Sequence, residues 1–209
     1  MRDTWEDEIA SVPAVLECNN CSLVFLSSFD YISPEHYINS KMHDGKNLNY
    51  DSWLELSEND YRRRFNYLKD KITYKTLLDF GCGLGGLLNL ASQISINISG
   101  IELEKVLQLK FKERSLNLVN NINEAIESNS CWEIITAFHV LEYTKDPIKV
   151  LKDLSLLLDK NGELIIEVPN INEALLTFYN NKAFKDFHFW SNHLFMFSAK
   201  SLEAVVKKG

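Results

Sequence analysis

The sequence predicts an α/β fold: a doubly wound, Rossmann-like, mainly parallel sheet with helices on both faces. From residue 76 onward, apolar stretches of strand length alternate with helical patterns. A glycine-rich turn over residues 81–86 separates the first of these strands from the helix that follows it. Strands of a parallel sheet are buried on both faces. The stretches of strand length in this sequence are nearly continuous apolar runs, as such burial requires.

The strands and helices of this sheet can be placed in chain order. Strands are expected over 76–80, 96–102, 116–119, 132–138 and 163–168. Helices are expected over about 84–93, 104–113 and 147–158, the last ending at Asn161-Gly162. Right-handed crossovers then bring the carboxyl ends of all strands to one edge of the sheet.

Residues 1–50 are expected to form an N-terminal extension, and residues 51–209 the main domain. Cys18 and Cys21 form a C-x-x-C between two β-prone runs, which predicts a hairpin. A structural zinc site needs four ligands, usually from two such pairs, so we expect reduced cysteines and no metal. His36 and His43 keep a Cys2His2 site open as the alternative.

A long helix is expected over residues 54–68. It contains Arg62-Arg63-Arg64, which we interpret as a solvated helix face. Contact with an anionic acceptor is the alternative for these arginines.

Composition excludes several classes of protein. The 209 residues are 45% hydrophobic and 24% charged, as in ordinary globular proteins. The net charge of −7 and the lack of a long basic run argue against binding of nucleic acid. The first residues lack a signal-peptide core, and no apolar segment is long enough to cross a membrane. A cytoplasmic location is therefore expected, and four cysteines suggest no disulfide framework.

The glycine turn is the candidate ligand site. Gly81 and Gly83 can adopt backbone angles that other residues resist, and they let a ligand lie against the main chain. The spacing is neither a clean G-x-G-x-x-G nor a phosphate loop, because no Lys follows the glycines. Asp79 at the strand end would repel a pyrophosphate but could receive an ammonium group. The turn therefore favours a cofactor that carries positive charge, although an ordinary α/β turn would look similar.

Two further strand ends carry candidate site residues. Glu102 ends the second strand, 23 residues after Asp79, where an acid is placed to accept hydrogen bonds from ribose hydroxyls. After the fourth strand, Phe138 could pack on a flat ring. His139 could line the reaction site or be a structural, hydrogen-bonded histidine.

Together these segments resemble the class I S-adenosylmethionine-dependent methyltransferases. The resemblance covers about residues 60–205, and it rests on four segments in order: the motif D-F-G-C-G-x-G from Asp79, the acid Glu102, the run F-H-V-L-E-Y-x-x-D-P from Phe138, and N-G-E-L-I-I-E-V-P-N from Asn161. The subgroup it resembles includes ubiquinone-type O-methyltransferases and the sugar methyltransferases of bacterial polysaccharide clusters.

The resemblance implies S-adenosyl-L-methionine as cofactor and a role for each site residue. The turn would hold the methionyl part with Asp79 near its ammonium group, Glu102 the ribose, and Leu103 the adenine. Asn120 or Asn121 would meet the adenine amine. The residues assigned to the cofactor are Asp79, Phe80, Gly81, Cys82, Gly83, Gly85, Glu102, Leu103, Asn121, Phe138 and His139.

The aromatic-rich tail from Ile171 to Phe197 resembles the family's segment over the acceptor site. His188 and His193 in this tail join His139 as candidate catalytic residues, for example as general bases. Packing over the sheet edge is the alternative for most of its aromatic residues.

Two departures from the family pattern bear on function. Tyr143 stands where the family commonly has His, which removes one candidate base or metal ligand. The family's two C-terminal antiparallel strands are missing, so the chain is expected to be a fragment, a truncated product, or one whose uncovered edge pairs in a homodimer.

The functional hypothesis is methylation of an oxygen atom on a small polar acceptor, such as a sugar used in surface-polysaccharide biosynthesis. A quinone precursor is the alternative acceptor. A non-catalytic cofactor-binding remnant is also open. A nicotinamide-dependent oxidoreductase is disfavoured by Asp79 and by the segments after the fourth and fifth strands.

Overall fold

The computed structural model describes residues 13–33, 35–39, 49–114, 116–189 and 192–209. Its strands are β1 Val15–Glu17, β2 Val24–Leu26, β3 Thr76–Phe80, β4 Asn97–Ile101, β5 Leu118–Val119, β6 Trp132–Phe138, β7 Leu158–Glu167 and β8 Phe195–Met196. Its α-helices are α1 Glu35–Ile38, α2 Tyr50–Leu56, α3 Glu58–Ile72, α4 Gly86–Ala91, α5 Lys105–Glu113, α6 Ile122–Glu127, α7 Pro147–Leu156, α8 Ala174–Thr177, α9 Lys182–His188 and α10 Ala199–Val206. A short 3₁₀ helix covers Leu141–Tyr143.

The chain divides into two compact units. The first, here called the sheet unit, contains the described residues of 34–138 and 153–166. The second, the hairpin unit, contains those of 1–33, 139–152 and 167–209.

The five-stranded sheet has the order β5-β4-β3-β6-β7. Strand β3 pairs in parallel with both β4 and β6, and β4 pairs in parallel with β5. The predicted α/β class is therefore confirmed. The central strand β3 delivers the glycine turn to the carboxyl edge of the sheet, where open α/β sheets bind their ligands.

The core of the sheet unit lies between β3 and helices α3 and α4. Its fully buried members include Leu68 and Ile72 of α3, Leu77 of β3 and Leu88 of α4. Burial of one such side chain stabilises the fold by about 1.5–3 kcal/mol. This packing fixes where β3 ends, and so where the turn begins.

The boundaries differ most from the prediction at two places. The helix expected over 54–68 is split into α2 and α3 at Ser57, a residue type that favours helix ends over interiors. Strand β7 begins at Leu158 rather than at residue 163. The reason is that the Trp132 N–H at the start of β6 donates to the Leu157 carbonyl over 2.8 Å, which draws the chain beside β6 early.

The predicted hairpin is confirmed in the hairpin unit. Strands β1 and β2 are antiparallel, and β2 also pairs with β8. Cys18 and Cys21 lie in the connecting turn, where backbone N–H groups of Cys21 and Asn20 lower the pKa of the Cys18 thiol. Within the described ranges, no three His, Cys, Asp or Glu side chains gather as they would around a metal ion.

Among the helices of the described residues, none has both the length and the apolar character to cross a bilayer.

We predict that Gly100→Ala in β4 lowers the free energy of unfolding by about 1–3 kcal/mol. A Cβ there would lie 2.5 Å from the Cys82 sulfur and 3.0 Å from Leu88. Urea denaturation measures the change. Asn97→Ala, at the exposed start of the same strand, is the control and should change stability by less than about 0.5 kcal/mol. Equal effects of the two substitutions would contradict the packing described here.

Candidate functional site: the glycine turn after β3

The turn after β3 adopts left-handed backbone angles at three glycines. The φ values are 72° at Gly81, 54° at Gly83 and 69° at Gly85, a region that residues with a Cβ rarely occupy. A Cβ on Gly85 would lie 2.5 Å from the Phe111 ring, whereas one on Gly83 would meet no described atom within 4 Å. Gly85 is therefore required by packing, and Gly83 leaves open space directly in front of the main chain.

Glu102 fastens this turn to the end of β4. One carboxylate oxygen accepts the Gly83 N–H over 2.9 Å and the other accepts the Glu104 N–H over 2.8 Å. Burial raises the pKa of Glu102, and these two backbone bonds oppose the rise. Each carboxylate oxygen has a second lone pair, so accepting a ribose hydroxyl is compatible with the bonds it makes. That ribose role stays a prediction.

Asp79 is a buried acid at the carboxyl end of β3. Its side chain accepts a hydrogen bond of 2.7 Å from the Thr136 hydroxyl. Burial raises the pKa of Asp79 to about 7, against the opposing effects of the Thr136 bond and the nearby Arg64 charge. A carboxylate whose charged form is disfavoured in this way is ready to receive a cation.

Arg64 on α3 is a site residue that the sequence analysis did not single out. Its guanidinium carbon lies 5.1 Å from the centre of the Phe138 ring, and its charge lowers the pKa of Asp79. Arg62 and Arg63 instead pair with acids of their own helix, Glu58 and Asp60. The run of three arginines was the available signal, and Arg64 is the member of the run that lies beside Phe138 and Asp79.

The remaining cofactor candidates of the sheet unit differ in their surroundings. The Cys82 side chain lies in the hydrophobic core, where burial raises its pKa, so this residue would reach a ligand through its backbone. Phe80 is buried and Leu103 is 41% exposed. Asn121 caps α6 by accepting the Glu124 N–H over 3.0 Å. The adenine roles of Leu103 and Asn121 stay predictions.

His139 belongs to the hairpin unit and adopts a left-handed backbone with a φ of 55°. Its Nδ1 lies 3.3 Å from a Glu142 oxygen and its Nε2 lies 3.1 Å from a Glu167 oxygen. A neutral imidazole has only one N–H donor, whereas the imidazolium form has two. The geometry therefore suits a charged ring held between two acids better than it suits a proton acceptor.

His188 and His193, the other two catalytic candidates, lie together in the hairpin unit. The His193 Nδ1 atom is 2.7 Å from the His188 carbonyl oxygen, and its Nε2 is 3.0 Å from the Tyr143 hydroxyl. Burial, and then the proximity of His193, lower the pKa of His188 to about 4. His188 is therefore neutral near pH 7 and too weak a base to be the main proton acceptor.

Comparison with known families identifies the domain that contains the turn. A family model described as a methyltransferase domain matches residues 50–208. The chain belongs to this methyltransferase family. The four motif segments identified in the sequence lie within the matched range, and the resemblance to class I S-adenosylmethionine-dependent methyltransferases is confirmed.

The methyltransferase is similar, at low identity, to curated relatives that are O-methyltransferases. The ubiquinone biosynthesis O-methyltransferase of Coxiella burnetii (strain Dugway 5J108-111) is 29% identical over 120 residues, which cover 52% of this chain and 50% of that protein. Its namesake from Serratia proteamaculans (strain 568) is 27% identical over 121 residues, with the same coverage. The matches thus span about half the length of these relatives.

Solved structures show the same fold. A methyltransferase from Thermotoga maritima, described as a possible histamine N-methyltransferase, aligns with a TM-score of 0.58 at 18% identity, covering 76% of this chain and 74% of its own. An Archaeoglobus fulgidus methyltransferase aligns with a TM-score of 0.53 at 24% identity, covering 74% and 67%. Coclaurine N-methyltransferase was solved with N-methylheliamine and S-adenosylhomocysteine. It aligns with a TM-score of 0.54 at 16% identity, and the alignment covers 69% of this chain and 47% of that protein.

The residues of the methyltransferase turn fit S-adenosylmethionine. The amino-acid end of this cofactor carries an ammonium and a carboxylate. Asp79 offers a buried acid for the first and Arg64 a guanidinium for the second. The open space in front of Gly83 would be closed by any side chain at that position. When bound, the cofactor supplies an electrophilic methyl group on sulfur.

We predict that Asp79→Asn stabilises the methyltransferase without ligand and weakens cofactor binding. Because the folded-state pKa of about 7 lies above the reference value of 3.8, the wild type loses stability as pH rises between these values. The amide that replaces the carboxylate carries no charge, so at pH 8 the variant should be more stable by roughly 2–4 kcal/mol. Denaturation curves at pH 4 and pH 8 measure this difference.

Cofactor affinity of the same variant is measured by calorimetric titration, and it should fall at least about tenfold because an ion pair with the ammonium group is lost. Unchanged affinity would remove Asp79 from the site. A stability difference that does not depend on pH would contradict the raised pKa.

Arg64→Gln should weaken binding of S-adenosylmethionine about 10- to 100-fold, since a charge-assisted bond to the carboxylate is lost. Arg62→Gln is the matched control, because Arg62 is exposed and pairs with Glu58. Calorimetry on both variants decides the role of Arg64. Equal affinities for the two would show that Arg64 does not contact the cofactor.

Proposed function

We propose that this protein transfers the methyl group of S-adenosylmethionine to an oxygen atom of a small polar acceptor, such as a nucleotide-linked or lipid-linked sugar of surface-polysaccharide synthesis. The cofactor half of the proposal is carried by one observation: Asp79 and Arg64 bring opposite charges beside the open glycine turn. A zwitterionic amino-acid group requires that pairing. The open space in front of Gly83 lets the rest of the methionyl part lie against the main chain of the turn.

In this proposal, the residues of the sheet unit bind the cofactor and orient it. Glu102 accepts from the ribose hydroxyls while it keeps the turn closed against β4. Phe138, with Arg64 over its ring, offers an apolar surface to a flat or cationic group. Methyl transfer depends mainly on holding an oxygen in line with the methyl carbon, so positioning supplies much of the catalysis.

The acceptor assignment rests on sequence resemblance and on two limits set by the chain. The overall charge is −7, which disfavours a polyanionic macromolecule and leaves a small molecule as the acceptor. The tail that resembles the family's acceptor segment contains buried polar side chains, His188 and His193. Buried polar groups of this kind suit an acceptor that carries hydroxyl groups.

A quinone precursor is the second candidate acceptor. It is favoured by the curated relatives, which are ubiquinone biosynthesis O-methyltransferases at 27–29% identity. A catechol ring and a sugar both present hydroxyl groups as nucleophiles. They differ in acidity, because a phenolic hydroxyl ionises near pH 10 and that of a sugar needs a stronger base.

The test incubates the purified chain with methyl-labelled S-adenosylmethionine and three acceptor sets: nucleotide-linked hexoses, lipid-linked hexoses and catechols. We expect label in a hexose set, and none with Glu102→Ala, which removes the ribose contact. Glu113→Ala is the matched control, because Glu113 lies exposed on α5 and pairs with Lys110.

Each other outcome changes the proposal. Label in catechols alone would reject the sugar acceptor in favour of a quinone precursor. Cofactor binding without label in any set or in a cell extract would favour a remnant that binds and does not turn over. No binding of S-adenosylmethionine at all would overturn the proposal.

A further inference from the structure

The hairpin turn between β1 and β2 carries two thiols that the proposed methyl transfer does not use. Cys18 and Cys21 are free cysteines, and each is partly exposed. Both belong to the hairpin unit. Among the residues that the structure describes, no third His, Cys, Asp or Glu side chain joins the two sulfurs as a metal site would require. The question is therefore what a pair of accessible thiols at this spacing can do.

Two backbone hydrogen bonds close this turn. The Cys18 N–H donates to the Leu23 carbonyl over 2.8 Å, and the Ser22 N–H donates to the Cys18 carbonyl over 2.8 Å. The second bond joins residues four apart, so the chain makes one helical turn between them. Ser22 then adopts a left-handed φ of 58° before the chain enters β2. Cys18 and Cys21 thus occupy the first and fourth positions of a turn whose backbone is held at both ends.

The geometry of the turn brings the two sulfurs close to bonding distance. One helical turn places side chains three residues apart on the same side, with about 5–6 Å between their Cβ atoms. A disulfide needs about 3.5–4.5 Å between these atoms. The Cys21 side chain hydrogen-bonds to the Cys18 sulfur, and the residues between the cysteines, Asn19 and Asn20, are exposed. A small movement of an exposed loop is therefore enough to join the two sulfurs.

Cys18 is the thiol that the turn prepares for attack. Backbone N–H groups of Cys21 and Asn20 lower the pKa of the Cys18 thiol, and the Cys21 side chain lowers it further. Burial opposes this shift, while the charge of Lys208 adds to it. The thiolate is the nucleophile in thiol–disulfide exchange. The same hydrogen bonds that shape the turn therefore favour the reactive form of Cys18.

We propose that Cys18 and Cys21 form a reversible intramolecular disulfide by exchange with a low-molecular-weight disulfide such as oxidised glutathione. The Cys18 thiolate attacks one sulfur of the oxidant, whose S–S bond breaks with the electron pair on the sulfur that leaves. Cys21 then loses its proton to solvent and attacks the Cys18 sulfur, which releases the second glutathione thiolate. The cysteine pair is oxidised by two electrons, and the small disulfide is reduced to two thiols. This inference does not rest on the proposed function.

Equilibration of the reduced chain with mixtures of reduced and oxidised glutathione tests the proposal. After acid quenching and alkylation of the remaining thiols, mass spectrometry should find a peptide in which Cys18 and Cys21 are joined, lighter by two hydrogen atoms than the reduced peptide. Cys131, which is exposed, is the internal control and should form only a mixed disulfide with glutathione. The proposal is wrong if, at glutathione ratios that modify Cys131, Cys18 and Cys21 stay reduced or carry separate mixed disulfides.

Serine substitutions separate the roles of the two thiols. In Cys21→Ser the mixed disulfide on Cys18 should persist, because the thiol that displaces glutathione is absent. In Cys18→Ser, Cys21 should react with oxidised glutathione at pH 7 at least about threefold more slowly than Cys18 does in Cys21→Ser. Cys131→Ser is the matched control and should form the disulfide as the wild type does. Equal rates in the first two variants would overturn Cys18 as the attacking thiol, and a purified chain that retains zinc on the pair and resists oxidation would overturn the disulfide itself.

Discussion

Burial of the Asp79 carboxylate is the constraint on which the candidate site depends. Burial raises the pKa of this acid to about 7, so its charge is maintained at a cost in folding stability. The Thr136 hydroxyl and the Arg64 guanidinium reduce that cost without removing it. A bound ammonium group would offset most of the remaining cost in folding stability. The free energy that the buried charge costs the ligand-free chain thus favours binding of a cationic ligand. Buried acids with a perturbed pKa are typical of binding sites for this reason.

The glycine turn works only because its surroundings are rigid. Phe111 packs where a side chain of Gly85 would lie, and Glu102 accepts the Gly83 N–H. The turn is held from β4 as well as from β3, since the Gly81 and Cys82 N–H groups donate to the Ile101 carbonyl. Three left-handed glycines would otherwise leave the backbone free to sample many conformations. Preorganisation of the turn is what the fold contributes to binding.

Sequence reasoning succeeded where the signal was local. Strands β3 and β6 have the predicted bounds, because short apolar runs between turn residues mark buried strands. Asp79 and Glu102 were singled out because each lies at the carboxyl end of a predicted strand, and their cofactor roles stay predictions. Arg64 was missed as an individual because helical periodicity does not show which of three adjacent arginines faces β3. The start of β7 was missed because the bond from Trp132 to Leu157 joins residues 25 apart, a pairing that no local pattern reveals.

The Tyr143–His193 contact shows the same limit of local patterns. The sequence alone indicates that Tyr143 replaces a candidate base, because only its neighbours in the chain are considered. The Tyr143 hydroxyl lies 3.0 Å from the Nε2 atom of His193, which stands 50 positions later, in a tail whose aromatic content mainly suggests packing. The contact depends on both residues, and neither residue's type predicts it alone.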